Sequence, residues 1–230
     1  MKLILVPTPI GNLEDITLRG IRTLQEVDAV VCEDTRVTLR LLSHLGIQKS
    51  LVSYHLNNEH KAVSGIVEQL KSGKTLALVT DAGTPGISDP GYLLVRACLH
   101  EGIEVECLPG PVAFVPALVA SGLPCERFVF EGFLPHKKGR ETRMKQIAAE
   151  TRTVVLYEST HRILKTLEQL AVHCGPDRRC AVGRELTKMH EEMVRGTLSS
   201  VCQHLSTNET RGEFVLIIGA ESSAEVSGEE

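Results

Sequence analysis

The sequence predicts an α/β protein made of two α/β domains with substantially parallel sheets. Short apolar runs alternate along the chain with segments in which apolar residues recur every three or four positions. The first pattern is typical of buried strands and the second of amphipathic helices, and their alternation favours parallel sheets covered by helices. The 230 residues allow one large domain or two small ones, and Gly and Pro interrupt both patterns at 121–126. Two domains of similar size fit these observations best.

The predicted elements alternate from the first strand to the last. Each predicted strand is a short apolar run, and these runs are 3–6, 29–32, 76–79, 105–108, 128–130, 154–156, 181–182 and 214–218. Each predicted helix has the three-to-four spacing of apolar residues, and these segments are 17–26, 36–45, 58–72, 91–101, 111–121, 139–150, 160–173 and 197–205. They define an N-terminal α/β domain at 1–115 and a C-terminal α/β domain at 116–220. The small acidic tail at 221–230 is expected to be disordered.

Composition excludes several classes of protein. Hydrophobic residues make up 42% of the chain and the charges are mixed in sign, so most of the chain is not disordered. No run approaches the roughly 18 apolar residues of a spanning helix, and the first run ends at Pro7, too early for a signal peptide. The seven cysteines are scattered, without a Cys-x-x-Cys pair. We therefore expect a soluble, cytoplasmic protein with no membrane partner, no disulfides and no metal site.

Charge is unevenly distributed along the chain. Residues 136–195 carry 13 Lys and Arg against 8 Asp and Glu, although the whole chain has a net charge of −4. A basic middle indicates a polyanionic partner, and the alternative is a solvated helix surface. Trp is absent and aromatic residues make up only 3% of the chain, so we expect no base-stacking platform of aromatic side chains.

The segment 80–91 is the strongest candidate for a binding loop. It contains three Gly and two Pro, follows a predicted strand and precedes a predicted helix. Open α/β sheets bind ligands outside the carboxyl ends of their strands, and Gly allows close backbone approach. The alternative is a structural turn in which Asp89 caps the next helix. Two further Pro/Gly-rich loops, 6–12 and 108–113, follow other strands and are expected to converge with it.

Three other predicted strands end in polar clusters. Each cluster places a carboxylate beside a cation, and the clusters are 33–36, 157–162 and 184–188. A group at the carboxyl end of a strand can reach a bound substrate, which favours a role in chemistry. The alternative is a local ion pair with a helix N-cap at Thr35 or Ser159.

Taken together, these segments resemble the ribosomal RNA small subunit methyltransferase I family of the tetrapyrrole methylase superfamily. The matching segments occur in order over about residues 3–219, and they are 6–13, 33–36, 53–55, 81–91, 130–135, 157–162 and 184–188. The eleven residues at 81–91 are highly specific to the family. The chain departs from the family pattern at Val112, where Ser is usual, and at Thr160, where Pro is usual.

The resemblance implies an S-adenosylmethionine-dependent enzyme that methylates the ribose 2′-hydroxyl of a cytidine in small-subunit ribosomal RNA. It also implies two α/β domains with a cofactor cleft between them, and a homodimer. The substrate that the resemblance implies is this RNA or the 30S subunit. The residues expected to hold the cofactor lie in the Pro/Gly-rich loops, and they are Pro9, Gly11, Asp81, Gly83, Thr84, Ile87, Val112 and Ala113.

Methyl transfer to a hydroxyl requires alignment of donor and acceptor and removal of a proton. We rank Glu33 and Lys188 first as the proton-handling pair, with Glu158 and Glu185 as further candidates. Lys188 qualifies only if burial lowers its pKa. Basic side chains would hold RNA phosphates, and the candidates are Arg36, Lys137, Lys138, Arg140, Arg162 and Arg184.

Two alternative functions share the fold. A tetrapyrrole methyltransferase would have a wide apolar cleft and no basic face, whereas 136–195 is basic. A non-catalytic ribosome-binding factor would have lost the cofactor loop, whereas 81–91 is intact.

Overall fold

A five-stranded sheet forms the centre of each of the two units into which the chain divides, Met1–Val112 and the residues from Ala113 onward. The computed structural model describes residues 1–207 and 211–220. The division between the units falls three residues before the boundary expected from the sequence. The tail expected to be disordered, 221–230, lies outside the described residues.

The sheet of the first unit is parallel throughout. Its strands in chain order are β1 (Lys2–Leu5), β2 (Ala29–Cys32), β3 (Ser50–Ser53), β4 (Thr75–Leu78) and β5 (Glu104–Cys107). Across the sheet their order is β3-β2-β4-β1-β5. The helices that connect them are α1 (Leu18–Glu26), α2 (Thr35–His44), α3 (Glu59–Lys71) and α4 (Tyr92–His100). The sequence did not predict β3, because its four residues have no apolar run and lie half-exposed at the sheet edge.

Successive side chains along a strand of the first sheet point to opposite faces, and helices pack against both faces. Val30 belongs to a buried cluster that includes Leu24 of α1 and Leu42 of α2. The next residue, Val31, belongs to a second cluster that includes residues of α3 and α4. Neighbouring strands β1 and β4 are therefore followed by helices on opposite faces. Such a reversal is where open α/β sheets bind ligands.

Because every pairing in this sheet is parallel, the carboxyl ends of its strands lie at one edge. The segments that leave this edge are 6–17, 33–34, 54–58, 79–91 and 108–113. All three Pro/Gly-rich loops and one of the polar clusters are among them.

The sheet of the second unit is mostly antiparallel. Its strands are β6 (Phe128–Phe133), β7 (Thr153–Ser159), β8 (Arg179–Arg184), β9 (Glu192–Thr197) and β10 (Glu213–Ile218), in the order β6-β7-β10-β8-β9. The pairing of β6 with β7 is parallel and the three other pairings are antiparallel. The expectation of a substantially parallel sheet is wrong here. Only 185–191 joins β8 to β9, which is too short for a crossover, and β10 inserts antiparallel between β7 and β8.

Helices cover the second sheet unequally. They are α5 (Phe114–Ala120), α6 (Arg140–Ala148), α7 (Ile163–Cys174) and α8 (Leu198–Thr207). Met144, Leu167 and Val201, from α6, α7 and α8, pack with Leu156 and Leu216 in one buried cluster. The short α5 packs against β7 and β10. No helix within 1–207 and 211–220 combines the length and hydropathy that crossing a membrane requires.

Strand directions in the second unit bring polar groups to one edge. β6, β7 and β8 run in one direction, and β9 and β10 run in the other. The carboxyl ends of the first three strands therefore lie beside the amino ends of the last two. Glu158, Arg184, Glu192 and Glu213 all belong to this edge.

The Tyr54 side chain anchors the first turn of α4. It is 1% exposed, and its hydroxyl accepts a hydrogen bond of 3.3 Å from the backbone amide of Leu94. Burial raises the pKa of Tyr54 to about 12. The hydroxyl thus satisfies an amide that has no partner within the helix.

Tyr54→Phe is expected to lower the free energy of unfolding by about 1–3 kcal/mol, because a buried amide loses its acceptor. Urea denaturation followed by circular dichroism measures the effect. The matched control is Tyr92→Phe, since Tyr92 is 66% exposed and its substitution is expected to change stability by less than about 0.5 kcal/mol. Identical midpoints for the two variants would show that the Tyr54 hydroxyl does not stabilise α4.

Candidate active site

The three Pro/Gly-rich loops of the first unit are joined to one another by hydrogen bonds. Thr8 and Gly83 exchange two backbone bonds, each of 2.9 Å, which link the loops after β1 and β4. The Thr84 hydroxyl donates to the Pro111 carbonyl at 2.9 Å, which links the loops after β4 and β5. The convergence predicted from the sequence is confirmed.

Glycine is required at two of these junctions. Gly83 has a φ of +85°, in the left-handed region that disfavours side chains, and still pairs with Thr8. A Cβ at Gly110 would lie 2.6 Å from Cβ of Pro7, closer than two carbon atoms can approach. Any side chain at Gly110 would therefore separate the first loop from the third.

The loop after β4 combines buried prolines with an exposed outer side. Pro85 and Pro90 are buried, whereas Asp81 and Gly86 are exposed. The Ile87 amide donates to the Thr84 carbonyl at 3.2 Å, which closes a turn within the loop. The loop is thus held by its prolines and presents backbone and carboxylate groups outward.

Thr8 is a site residue that the sequence analysis missed. It is 2% exposed, and its hydroxyl donates to the Thr80 carbonyl at 3.0 Å, in addition to the backbone pairing with Gly83. The signal was present in the sequence, because Thr8 lies between Pro7 and Pro9, neither of which has an amide to donate. It is the residue of this Pro-Thr-Pro segment that has a backbone amide to donate.

Residues expected to hold the cofactor occupy different parts of this edge. Pro9 is buried within the first loop and Gly11 is exposed. Val112 is the last residue of the first unit, and Ala113, the N-cap of α5, is the first residue of the second.

An acidic cluster follows β2 and meets the loop after β4. The Asp34 amide donates to Asp81 Oδ1 at 3.0 Å, and the Asp34 carboxylate caps α2 through the Arg36 amide at 2.8 Å. The N-cap is therefore Asp34 and not Thr35. The Arg36 guanidinium, 2.6 Å from Asp34 Oδ2, holds the pKa of Asp34 at about 2.

Glu33 and Asp81 both have pKa values above their ordinary range. Burial raises the pKa of Glu33, and the nearby carboxylate of Asp81 raises it further, against a hydrogen bond from the Asp81 amide. Burial is also the largest cause of the raised pKa of Asp81. Carboxylates in such surroundings are stabilised by a bound cation or hydroxyl donor. The cluster is therefore suited to a ligand that carries either group.

Lys188 lies between two carboxylates at the edge of the second sheet. Its Nζ is 2.9 Å from Glu185 Oε1 and 2.9 Å from Glu213 Oε2. Burial would lower the pKa of Lys188, but the hydrogen bonds to these carboxylates outweigh it and the pKa is raised. The condition set for Lys188 to take a proton from the substrate, a pKa lowered by burial, is therefore not met in this arrangement.

Glu185 has a structural role in the same cluster. Its carboxylate also accepts a hydrogen bond of 2.9 Å from the Glu213 amide, and its backbone φ is +48°. Burial would raise the pKa of Glu185, but the hydrogen bonds from Lys188 and Glu213 lower it overall. A carboxylate with a lowered pKa is a weaker proton acceptor than an ordinary one.

Glu158 is a buried anchor in the second unit. It is 2% exposed, its Oε2 accepts a hydrogen bond of 2.7 Å from the Thr166 hydroxyl, and its Oε1 lies 3.3 Å from Arg162 Nε. Its carboxylate oxygens therefore have partners within the unit. Glu158 thus orients Thr166 and Arg162 in the second unit.

Arg140 is not part of a basic surface, contrary to the sequence prediction. It is 8% exposed, and its guanidinium donates to Thr166 Oγ1 at 2.8 Å, to Gln169 Oε1 at 2.8 Å and to the Pro135 carbonyl at 3.3 Å. Burial is the largest cause of its lowered pKa. Its positive charge offsets the buried carboxylate of Glu158.

Arg162 and Arg184 also donate hydrogen bonds to backbone carbonyls and form ion pairs within the protein. Arg162 Nη2 donates to the Leu134 carbonyl at 2.6 Å in addition to its ion pair with the buried glutamate. Arg184 donates to the Arg211 carbonyl at 2.7 Å and lies 3.5 Å from Glu192. Their side chains are only 18% and 15% exposed, which leaves little of either guanidinium surface available to an RNA phosphate.

Lys137 and Lys138 do lie on the surface. Both are exposed in the segment that connects β6 to α6. Within residues 1–207 and 211–220, neither ammonium group forms an ion pair. Over the same ranges, no group of three or more His, Cys, Asp or Glu side chains is arranged to hold a metal ion.

Solved structures with the same fold are methyltransferases or related synthases. Diphthine synthase matches with a TM-score of 0.76 and 15% identity, over 96% of this chain and 90% of that one. Uroporphyrin-III C-methyltransferase from Thermus thermophilus, solved with S-adenosylhomocysteine, matches with a TM-score of 0.66 and 20% identity, over 96% and 98% of the two chains. The fold is that of this class of methyltransferases.

Sequence comparison identifies the family within this class of methyltransferases. The profile of the tetrapyrrole (corrin/porphyrin) methylases matches residues 2–202. Proteins named ribosomal RNA small subunit methyltransferase I from Synechocystis and Thermotoga maritima are 48% and 46% identical. The alignments cover 94% of this chain in both cases, and 78% and 97% of the relatives. The chain belongs to the ribosomal RNA small subunit methyltransferase I family of the tetrapyrrole methylases.

The raised pKa of Glu33 predicts a pH-dependent effect of Glu33→Gln on stability. Ionisation of Glu33 opposes folding, so the cost is absent at low pH and grows as the pH rises above the ordinary value of 4.5 through the raised folded value. The variant is therefore expected to melt at a higher temperature than the parent at pH 7. The two proteins should melt together near about pH 3.5.

Thermal unfolding at both pH values measures this difference. Glu26→Gln, in the exposed last turn of α1, is the matched substitution for general effects of removing a carboxylate. A Glu33→Gln variant that melts below the parent at pH 7 would contradict the assignment of an unfavourable charge to the half-buried Glu33.

Proposed function

We propose that this protein transfers a methyl group from S-adenosylmethionine to the ribose 2′-hydroxyl of a cytidine in small-subunit ribosomal RNA. The observation that carries the proposal is the intact loop at 81–91, joined to two other loops at the carboxyl edge of a parallel sheet. Relatives that are nearly half identical are named as ribosomal RNA methyltransferases, whereas the uroporphyrin enzyme shares only the fold. The small-subunit RNA or the 30S subunit is therefore the proposed substrate.

The first unit has the groups that the cofactor requires. Asp81 supplies a carboxylate for a hydroxyl or ammonium group, and backbone groups around Gly83, Thr84 and Ile87 lie in the same loop. Gly86 has open space where a Cβ would stand, which leaves room for a ligand against the backbone. S-adenosylmethionine supplies a methyl group on a sulfonium centre, which needs no further activation.

Glu33 is the proposed acceptor of the hydroxyl proton. The pKa of its carboxyl group is raised, which brings the carboxylate closer to the basicity that proton transfer at neutral pH requires. Lys188 is a cation, Glu185 has a lowered pKa, and Glu158 is buried. These three residues are proposed to hold the second unit together.

Lys137 and Lys138 are the proposed contacts to RNA phosphates. Their ammonium groups are exposed, and the segment that carries them is held by hydrogen bonds from Arg140 and Arg162 to backbone carbonyls. Arg36, whose side chain is 84% exposed beside Asp34, is a further candidate. We also propose that the protein acts in the cytoplasm and that it forms a homodimer. Sedimentation equilibrium tests the homodimer.

Asp81→Ala is expected to weaken S-adenosylmethionine binding by about 1.5–3 kcal/mol, because a charge-assisted hydrogen bond is lost. Asp81→Asn keeps an oxygen that can accept from the Asp34 amide and removes only the charge. Isothermal titration calorimetry on both variants therefore separates loop geometry from charge. Glu68→Ala, on the exposed side of α3, is the control, and unchanged affinity in folded Asp81→Ala would remove Asp81 from the site.

Replacing Lys137 and Lys138 by Gln is expected to reduce the salt dependence of RNA binding by about 1.5 units of log–log slope. Affinity for S-adenosylmethionine should stay at the parental value. Filter binding at several salt concentrations measures the slope. The matched control replaces the exposed Lys61 and Lys74 of the first unit, and an equal loss of slope in both double variants would rule out a specific contact.

Glu33→Gln is expected to lower the single-turnover rate of methylation by about 10²–10⁴-fold, with small changes in cofactor and RNA binding. The assay uses 30S subunits that lack the modification and maps 2′-O-methylation in the RNA. Absence of any methylated nucleotide with the parent protein would refute the proposed function. A parental rate in Glu33→Gln would leave the function standing and exclude Glu33 as the proton acceptor.

A further inference from the structure

Most aromatic side chains of this protein lie in one cluster. Four of the five Phe residues and one of the three Tyr residues contact each other in the second unit. The rings follow one another in the order Phe128, Phe114, Phe130, Tyr157 and Phe133, with centroids 4.7–6.0 Å apart. Although the chain has few aromatic residues, most of them are therefore concentrated at one place in the second unit.

A β-bulge in β6 sets the position of the Phe133 ring. The register between β6 and β7 shifts between Phe130 and Gly132, so that Glu131 is an extra residue. Gly132 has a φ of +63°, which accommodates the bulge. Because of the extra residue, Phe130 and Phe133 lie on the same face of the sheet although they are three positions apart. Both rings contact Tyr157, at 5.1 and 5.6 Å.

Phe133 combines an exposed ring with a fixed backbone. The residue is 53% exposed at the carboxyl end of β6. The two carbonyls that follow it, of Leu134 and Pro135, accept hydrogen bonds of 2.6 and 3.3 Å from Arg162 and Arg140. These guanidinium groups are themselves fixed by the buried carboxylate network. An exposed aromatic ring on a preorganised backbone loses little entropy when it binds a ligand.

Positive charge lies immediately beyond the ring. Lys137 and Lys138 follow Phe133 by four and five positions, in the same fixed segment, and both are exposed. An aromatic face beside exposed ammonium groups is the combination that binds single-stranded nucleic acid, since the base stacks and the phosphates meet the charges. A phosphate backbone complements these ammonium groups. The charge therefore favours RNA as the occupant.

We propose that Phe133 and Tyr157 form a stacking surface for an unpaired base of the RNA substrate, with Lys137 and Lys138 holding the adjoining phosphates. The inference rests on the proposed function and extends it to a named base-binding surface. A stacked base contributes enough affinity that its loss weakens binding by about 5- to 100-fold.

The absence of Trp from the chain provides a direct probe. Phe133→Trp places a single indole at the surface, and stacking of a base on it quenches its fluorescence. The ligands are an oligocytidylate of about 12 nucleotides and an abasic ribose-phosphate chain of equal length, both at low salt. We expect oligocytidylate to quench the emission and the abasic chain to leave it unchanged. Val172→Trp, at a position of α7 that is 82% exposed, is the control and should respond to neither.

Phe133→Leu and Phe133→Tyr test the same surface in the parent background. Leu keeps the apolar contact without a π-face, and it is expected to raise the KM for undermethylated 30S subunits by about 5- to 100-fold. Tyr is expected to retain the parental KM. Thermal unfolding checks that both variants are folded.

Several outcomes would overturn the proposal. They are parental KM in Phe133→Leu, equal quenching of both Trp variants, and quenching by the abasic chain. Emission of Phe133→Trp that changes with protein concentration and not with RNA would assign the ring to contact with a second copy. If the parent methylates 30S subunits and Phe133→Leu does so equally well, this inference fails alone. If the parent methylates none, the proposed function fails.

Discussion

The backbone pairing between Thr8 and Gly83 is the constraint on which the loop cluster of the first unit depends. Two hydrogen bonds join loops that leave neighbouring strands and then pass to opposite faces of the sheet. The pairing fixes where each loop begins, and the contact of Pro7 with Gly110 then brings in the third loop. The carboxylates of Glu33 and Asp81 are near each other because they follow the paired parallel strands β2 and β4, and the loop that carries Asp81 is the one that Thr8 holds through Gly83.

Charge serves a different purpose in the second unit. Glu158, Arg140 and Arg162 form a network in which each charged group has hydrogen-bonding partners, as burial requires. The network connects β7, α6 and α7 and fixes the backbone that follows β6. Lys188 performs a similar task between β8 and β10. Charged residues that resembled a catalytic cluster in the sequence therefore also stabilise the fold of this unit.

Local patterns in the sequence predicted most elements, and the failures have physical causes. Apolar runs identified every strand except Ser50–Ser53 and Glu192–Thr197, which lie at sheet edges and lack such runs. Strand direction in the second sheet was wrong because β10 inserts between earlier strands, a choice that no local pattern encodes. The loop at 81–91 was identified because Gly and Pro leave a local signal, whereas burial of Arg140 depends on residues almost thirty positions away. Composition likewise could not reveal that distant Phe residues meet.

The bulge at Glu131 makes this position the one place in β6 where a change of length is harmless. In a regular strand, successive side chains alternate between faces, so residues two positions apart share a face. Deleting Glu131 would remove the bulge and leave Gly132 and Phe133 opposite Leu156 and Tyr157, with Phe130 and Phe133 still on one face. Loss of a residue from the regular part of the strand would instead reverse every position that follows it. We therefore expect evolution to tolerate a change of length at Glu131 more readily than elsewhere in β6.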